Sequence, residues 1–84
     1  MIRKVPKVST IRGRIHAYAY KVGFTIVTQA DGLYYIFDNR MGYTIHRNLS
    51  MDDVVRIVTD ELYAMVYRQN PPPENEYTLY HRYY

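Results

Sequence analysis

Two short hydrophobic runs on either side of an Asp-Gly dipeptide form the clearest pattern in the sequence. Residues 24–29 (FTIVTQ) and 33–38 (LYYIFD) are rich in β-branched and aromatic side chains, which favour β-strands. Between them, Asp31-Gly32 is typical of a two-residue type I′ turn, because both central residues of that turn need a positive φ. We therefore predict an antiparallel β-hairpin over residues 24–38.

The predicted turn decides which side chains share a face of the hairpin. With Asp31 and Gly32 as the only loop residues, Ile26 lies opposite Phe37. One face then carries mainly large apolar residues, and we expect this face to form the core. Its residues are Phe24, Ile26, Leu33, Tyr35 and Phe37. We expect the other face to be exposed, and it carries Thr25, Val27, Gln29, Tyr34, Ile36 and Asp38.

A third strand and a helix are predicted after the hairpin. Residues 39–42 (NRMG) have turn composition, and residues 43–47 (YTIHR) are expected to form the third strand. Residues 51–68 carry an apolar stripe at helical spacing, with Ser50 as N-cap and Asp53 at the capping-box position. Since three antiparallel strands with one apolar face need a cover, we expect this helix to pack on the sheet.

The N-terminal pattern is compatible with two structures. Four apolar residues follow helical spacing, and they are Ile11, Ile15, Tyr18 and Val22. Gly23 then stands where a glycine often ends a helix. Residues 11–20 also alternate in a way that fits a strand. We favour a helix over residues 10–22 and keep the strand as the alternative.

These elements together predict a single small α+β domain over residues 1–70. Its parts are an N-terminal helix, a three-stranded antiparallel sheet and a C-terminal helix packed on one sheet face. Residues 71–84 form a Pro-rich linker and a Tyr-rich C-terminal tail, because three consecutive prolines end the helix. At 84 residues without cysteine, packing has to supply the stability, and a homodimer would bury additional surface.

The composition indicates a soluble protein of the cytoplasm. Residues 1–7 are charged and lack the apolar stretch of a secretory signal. No apolar run approaches the roughly 20 residues that span a bilayer, so we expect no membrane partner. The absence of cysteine fits a reducing compartment.

The residue types that usually carry catalysis do not form recognisable motifs. There is no cysteine nucleophile, no glycine-rich phosphate loop, and the three histidines are far apart. The acidic pairs at 52–53 and 60–61 fit a helix N-terminus and a solvated helix face. We therefore predict a protein that is not an enzyme and that uses no metal or cofactor.

Tyrosine is the residue type that points most directly to a function. The chain has 11 Tyr and no Trp. Tyrosine combines apolar area with a polar tip at low entropic cost, so it is enriched in protein interfaces. Our main hypothesis is a protein that occupies a site on a protein partner through eight residues: Tyr34, Ile36, Tyr63, Tyr67, Tyr77, Tyr80, Tyr83 and Tyr84.

Nucleic-acid binding is the alternative hypothesis. Residues 1–22 hold six Lys and Arg and no acid, whereas residues 23–84 hold five Arg and all eight acids. Phosphate contacts and base stacking would use Arg3, Lys4, Lys7, Arg12, Arg14, Tyr18 and Tyr20. The element order resembles that of the double-stranded RNA-binding domain, but acidic residues 52–53 stand where that family has lysines at its last helix. A basic face that balances the acidic helix explains the charges equally well.

Small size, missing catalytic motifs and many tyrosines are shared with many antagonists of host proteins that viruses or mobile elements encode. Anti-CRISPR proteins are among them. This general similarity in size and composition favours, among the binding functions, an inhibitor of the kind that phages or mobile elements encode.

Overall fold

The structure, a computed structural model, describes residues 5–69 and has the predicted α+β architecture. Two short helices precede a three-stranded antiparallel sheet of order β1-β2-β3, and a long helix follows it. The elements are α1 (Val8–Gly13), α2 (Ile15–Lys21), β1 (Phe24–Thr28), β2 (Tyr34–Asp38), β3 (Tyr43–Leu49) and α3 (Met51–Gln69). The predicted Pro-rich linker and Tyr-rich tail lie outside the described residues.

The N-terminal segment is helical, so the strand alternative is wrong there. Instead of one helix over 10–22 there are two, because the backbone leaves the helical conformation at Arg14, with φ −132° and ψ 43°. Gly13, a weak helix former, ends α1 just before this break. At the end of α2, Gly23 has φ +92°, and a Cβ there would lie 2.7 Å from Arg40 Nε. The positive φ therefore favours glycine at the position where the sequence predicts a helix end.

The loop between β1 and β2 has three residues rather than two. Gln29 N–H donates to the Leu33 carbonyl (2.7 Å), and Gly32 N–H donates to the Gln29 carbonyl (3.1 Å). Gly32 has φ +88°, whereas Asp31 does not have a positive φ, so the turn is not type I′. Asp31 instead accepts the Leu33 N–H on its carboxylate (3.0 Å). The geometry is that of a type I turn closed by a glycine bulge.

The longer loop shifts β2 by one residue against β1. Ile26 pairs with Ile36 and Val27 pairs with Tyr35, whereas the sequence predicts Ile26 opposite Phe37. A shift of one residue moves every side chain of a strand to the other face. The predicted faces of β2 are therefore reversed, and Ile36, expected on the exposed face, is fully buried.

Strand β3 is longer than predicted and irregular. Its pairing with β2 shifts between Tyr34 and Ile36 and again between Ile36 and Phe37. Asn48 has φ 58°. Its backbone N–H donates to Gln29 Oε1 (2.9 Å), and its side-chain Oδ1 accepts from Gln29 Nε2 (3.1 Å). Two register shifts and the Gln29–Asn48 hydrogen bonds thus make this edge of the sheet irregular.

Helix α3 begins with the predicted capping box. Asp53 N–H donates to Ser50 Oγ (3.1 Å), and Ser50 N–H donates to Asp53 Oδ2 (3.3 Å). These bonds hold the pKa of the Asp53 carboxyl below its usual value. They also satisfy two backbone donors that would otherwise lack partners at the start of the helix.

A single hydrophobic core joins all three helices to one face of the sheet. Its buried members are Ile11, Ile15, Ala19, Val22, Phe24, Ile26, Ile36, Val54, Val55, Val58 and Leu62. Since β1 and β2 contribute Phe24, Ile26 and Ile36, the helices cover the face that these side chains share. The fold is therefore two layers, with helices on one side of the sheet.

The reversed faces of β2 give a direct test of the hairpin register. Ile36→Ala should lower the free energy of unfolding by about 2–5 kcal/mol, because it empties a fully buried site. Phe37→Thr should cost about 1 kcal/mol or less, because Phe37 lies on the face away from the helices. Urea unfolding of both variants measures the difference. A larger loss for Phe37→Thr would favour the two-residue loop instead.

Candidate binding surface

The sheet face away from the helices carries a compact set of apolar and aromatic side chains. The strand register places Val27 directly opposite Tyr35, and Thr25 and Thr44 on either side of Phe37. The guanidinium carbon of Arg47 lies 5.9 Å from the centre of the Tyr35 ring, within range of a cation–π contact. We call these six residues the open sheet face: Thr25, Val27, Tyr35, Phe37, Thr44 and Arg47.

Within residues 5–69 no second layer covers the open sheet face. Val27, Tyr35 and Phe37 are only half-buried, and none belongs to the residues that pack on the core. Sheets normally bury an apolar face against another layer, and contiguous exposed apolar patches mark interaction sites. Tyr35 and Phe37 therefore share the face of the central strand that points away from the helices.

The predicted protein-binding residues are distributed over different parts of the molecule. Ile36 is at the centre of the core, and Tyr34 is half-buried against that core, so neither lies on the exposed sheet face as predicted. Tyr63 and Tyr67 on α3 are 60% and 45% exposed. The predicted tail residues lie outside the described part of the chain: Tyr77, Tyr80, Tyr83 and Tyr84.

The predicted nucleic-acid-binding residues do not form one surface with the open sheet face. Arg3 and Lys4 lie outside the described residues. Lys7, Arg12 and Arg14 are exposed, and Tyr20 is 74% exposed, whereas Tyr18 packs against the core. The described ones lie on or next to α1 and α2, the helices that cover the opposite face of the sheet.

One of these basic residues is engaged in an ion pair. Arg12 Nη2 donates to Asp52 Oδ1 (2.6 Å), which links α1 to the first turn of α3. The Arg12 and Asp52 side chains are 46% and 84% exposed, so the pair contributes at most about 1 kcal/mol. It shows that part of the N-terminal positive charge faces the acidic start of α3.

A shallow groove of about 290 Å³ lies beside this ion pair, between α1 and α3. Val8 and Val55 line it together with charged residues of both signs. The Thr59 hydroxyl oxygen, which also borders the groove, is buried and has no hydrogen-bond partner. The volume is at the lower limit for a small-molecule site, and the lining holds no group arranged for catalysis.

Asp38 is a buried carboxylate, and its hydrogen-bond partners indicate that its role is structural. Burial raises the pKa of the Asp38 carboxyl. Hydrogen bonds from the backbone N–H groups of Met41 and Arg40 lower it, as does the positive charge of Arg40, and these lowering effects are larger than the effect of burial. The net effect is a lowered pKa. Asp38 therefore stays ionised and holds the β2–β3 turn, whereas a general acid would need a raised pKa.

Tyr35, Phe37 and Arg47 are the surface residues that the sequence analysis did not identify. The sequence pattern places the first two in the core, because it predicts a two-residue loop. A signal for the alternative was present, since Asp31-Gly32 also fits the last two positions of a type I turn, where glycine is favoured.

Among the described residues no group of three or more His, Asp or Glu side chains is placed to hold a metal ion. Nor does any helix in the described region have the length and apolar character needed to cross a membrane.

Comparison of the chain with protein-family models, with curated proteins and with solved structures found no match.

Asp38→Asn should make stability less sensitive to acid. A carboxyl whose pKa is lower in the folded state contributes stability above its unfolded pKa of about 3.9, and this is lost as pH falls through the folded pKa. Asparagine keeps the acceptor oxygen but has no proton to gain. Urea unfolding between pH 7 and pH 2 should show a shallower decline for the variant, with the remainder due to groups such as Asp53. Parallel declines would contradict the structural role of the carboxylate.

Proposed function

We propose that this protein is a non-enzymatic binding module that occupies a site on a protein partner through its open sheet face. The supporting observation is the pair of aromatic rings, Tyr35 and Phe37, on a central strand that the described helices leave uncovered. Aromatic side chains and arginine are enriched at the residues that carry most of the binding energy in interfaces. The open sheet face places two aromatic side chains and one arginine in a single patch.

The distribution of charge favours a protein over a nucleic acid as the partner. Binding a single strand of nucleic acid needs stacking surfaces and cations along the same groove. Here Arg47 is the cation of the open sheet face, whereas Lys7, Arg12 and Arg14 belong to the opposite layer. Arg12 is also paired with Asp52. A partner with an apolar centre and a few polar or acidic groups matches the open sheet face better than a polyphosphate backbone does.

More specifically, we propose that the protein acts as an antagonist of a cytoplasmic host protein. A rigid sheet presents Tyr35 and Phe37 with little further loss of side-chain freedom, because both are already half-buried by neighbours. Such a preformed patch can bind by shape alone, without any chemical step. Tyr63 on α3 is 60% exposed but lies on the helical layer, so it is not part of this surface.

Affinity purification of partners from the native host, with quantitative mass spectrometry, tests the proposal. The full chain is compared with a sheet-face variant, Tyr35→Thr with Phe37→Thr, in which threonine preserves strand propensity. Loss of two central aromatic contacts should reduce recovery of a specific partner by about 10-fold to 100-fold. Circular dichroism and urea unfolding establish that the variant is folded.

A matched control removes two exposed tyrosines on the helical layer, Tyr20→Ala with Tyr63→Ala. This control should recover the partner as well as the unmodified chain does. Loss of the partner with the control but not with the sheet-face variant would place the binding surface on the helices instead. Gel-shift titration with DNA and RNA across a salt series is the test of the alternative. A salt-sensitive shift that Arg12→Ala and Arg14→Ala weaken on every sequence would replace protein binding by nucleic-acid binding.

A further inference from the structure

The outer edge of β1 has no backbone partner within the described residues. In the part of the chain that the structure describes, strand β1 is at one end of the sheet order β1-β2-β3 and pairs only with β2. No turn or loop in residues 5–69 donates to or accepts from its outer side. An edge of this kind is a template for a further strand.

The backbone groups that face outward on β1 can be identified from the ladder. Asn39 N–H donates to the Gly23 carbonyl (2.8 Å), and Gln29 N–H donates to the Leu33 carbonyl (2.7 Å). These two pairs enclose β1, and hydrogen-bonded pairs alternate along a regular antiparallel ladder. Thr25 and Val27 therefore bond to β2. The outward N–H and C=O groups are those of Phe24, Ile26 and Thr28.

The two edges of the sheet differ in how they are protected. Edge strands are usually guarded by charges, proline or bulges. Strand β3 has two register shifts, Arg47 and the Gln29–Asn48 hydrogen bonds. Strand β1 has a regular register and no charged residue, proline or bulge in its sequence FTIVT. Only β1 of the two edges therefore offers a straight, uncharged ladder.

We propose that β1 pairs antiparallel with β1 of a second copy of this chain, about a two-fold axis at Ile26. In that register Ile26 lies opposite Ile26 of the other copy, and Phe24 lies opposite Thr28. These are the residues whose backbone groups point outward in both copies. All of them therefore form hydrogen-bonded pairs, six bonds in total by the geometry of an antiparallel ladder.

The side chains are equally compatible with a second copy. Across the axis Thr25 lies opposite Val27, a pair of β-branched residues that suits a sheet surface. Since β1 carries no charge, the two-fold axis brings no like charges into opposition. A self-complementary patch is what a two-fold interface requires.

Pairing at β1 would join two three-stranded sheets into one sheet of six strands. Residues directly opposite in an antiparallel ladder point to the same side, so both sets of helices lie on one face. The two open sheet faces become continuous on the other face, with Val27 next to the seam. Five residues span only about 17 Å of strand. The interface is therefore smaller than the roughly 800 Å² per partner of stable complexes, and the dimer should be concentration-dependent.

Sedimentation equilibrium of the full chain, from about 10 μM to about 1 mM, tests the dimer over the range expected for so small an interface. The weight-average mass should rise from 10.1 kDa towards twice that value. Thr28→Pro should stay monomeric, because it deletes an outward N–H and no bond to β2. Thr28→Val, which keeps the N–H, should dimerise as the unmodified chain does.

Amide hydrogen exchange of the unmodified chain provides a second measurement that does not need the proline variant to fold. Exchange at Ile26 should slow as the concentration rises, whereas exchange at Val27 should not change, because Val27 already bonds to β2. A mass of 10.1 kDa at every concentration overturns the proposal. So does a dimer in which Ile26 stays unprotected, or a folded Thr28→Pro variant that still dimerises.

Discussion

The length of the loop between β1 and β2 is the constraint on which the rest of the structure depends. Side chains alternate along a strand, so adding one residue to the loop turns every β2 side chain to the other face. The loop of Ala30, Asp31 and Gly32 sends Ile36 towards the helices and Tyr35 and Phe37 away from them. Both the core and the surface proposed for binding follow from this one choice.

The helices fix the core face and leave the other face open. Ser50 and Asp53 define where α3 begins, and Val54 and Val58 of this helix belong to the same core as the buried side chains of the sheet. Arg12 joins α1 to the same end of α3 through Asp52. All three helices pack on one side of the sheet. Among the described residues, no layer therefore covers the aromatic side chains of β2 that point to the other side.

Most of the fold could be predicted from patterns that depend on local chemistry. The hydrophobic spacing of residues 51–68, the capping residues and the β-branched runs all specify an element without reference to the rest of the chain. The predicted register was wrong because Asp31-Gly32 fits both a two-residue and a three-residue loop. The choice between them depends on which β2 face packs best under the helices. The register shifts of β3 likewise depend on contacts between residues distant in sequence, and the error in the β2 register placed Tyr35 and Phe37 of the open sheet face in the predicted core.

Proton NMR of the hairpin tests the central claim most directly. Opposite residues that do not exchange hydrogen bonds have the closest Cα atoms in an antiparallel ladder, so their Hα protons give strong nuclear Overhauser effects. The three-residue loop places Ile26 opposite Ile36 in such a pair. We expect an Hα–Hα effect between these two residues. An effect between Val27 and Ile36 instead would show the two-residue loop, and the open sheet face would then no longer contain Tyr35 and Phe37.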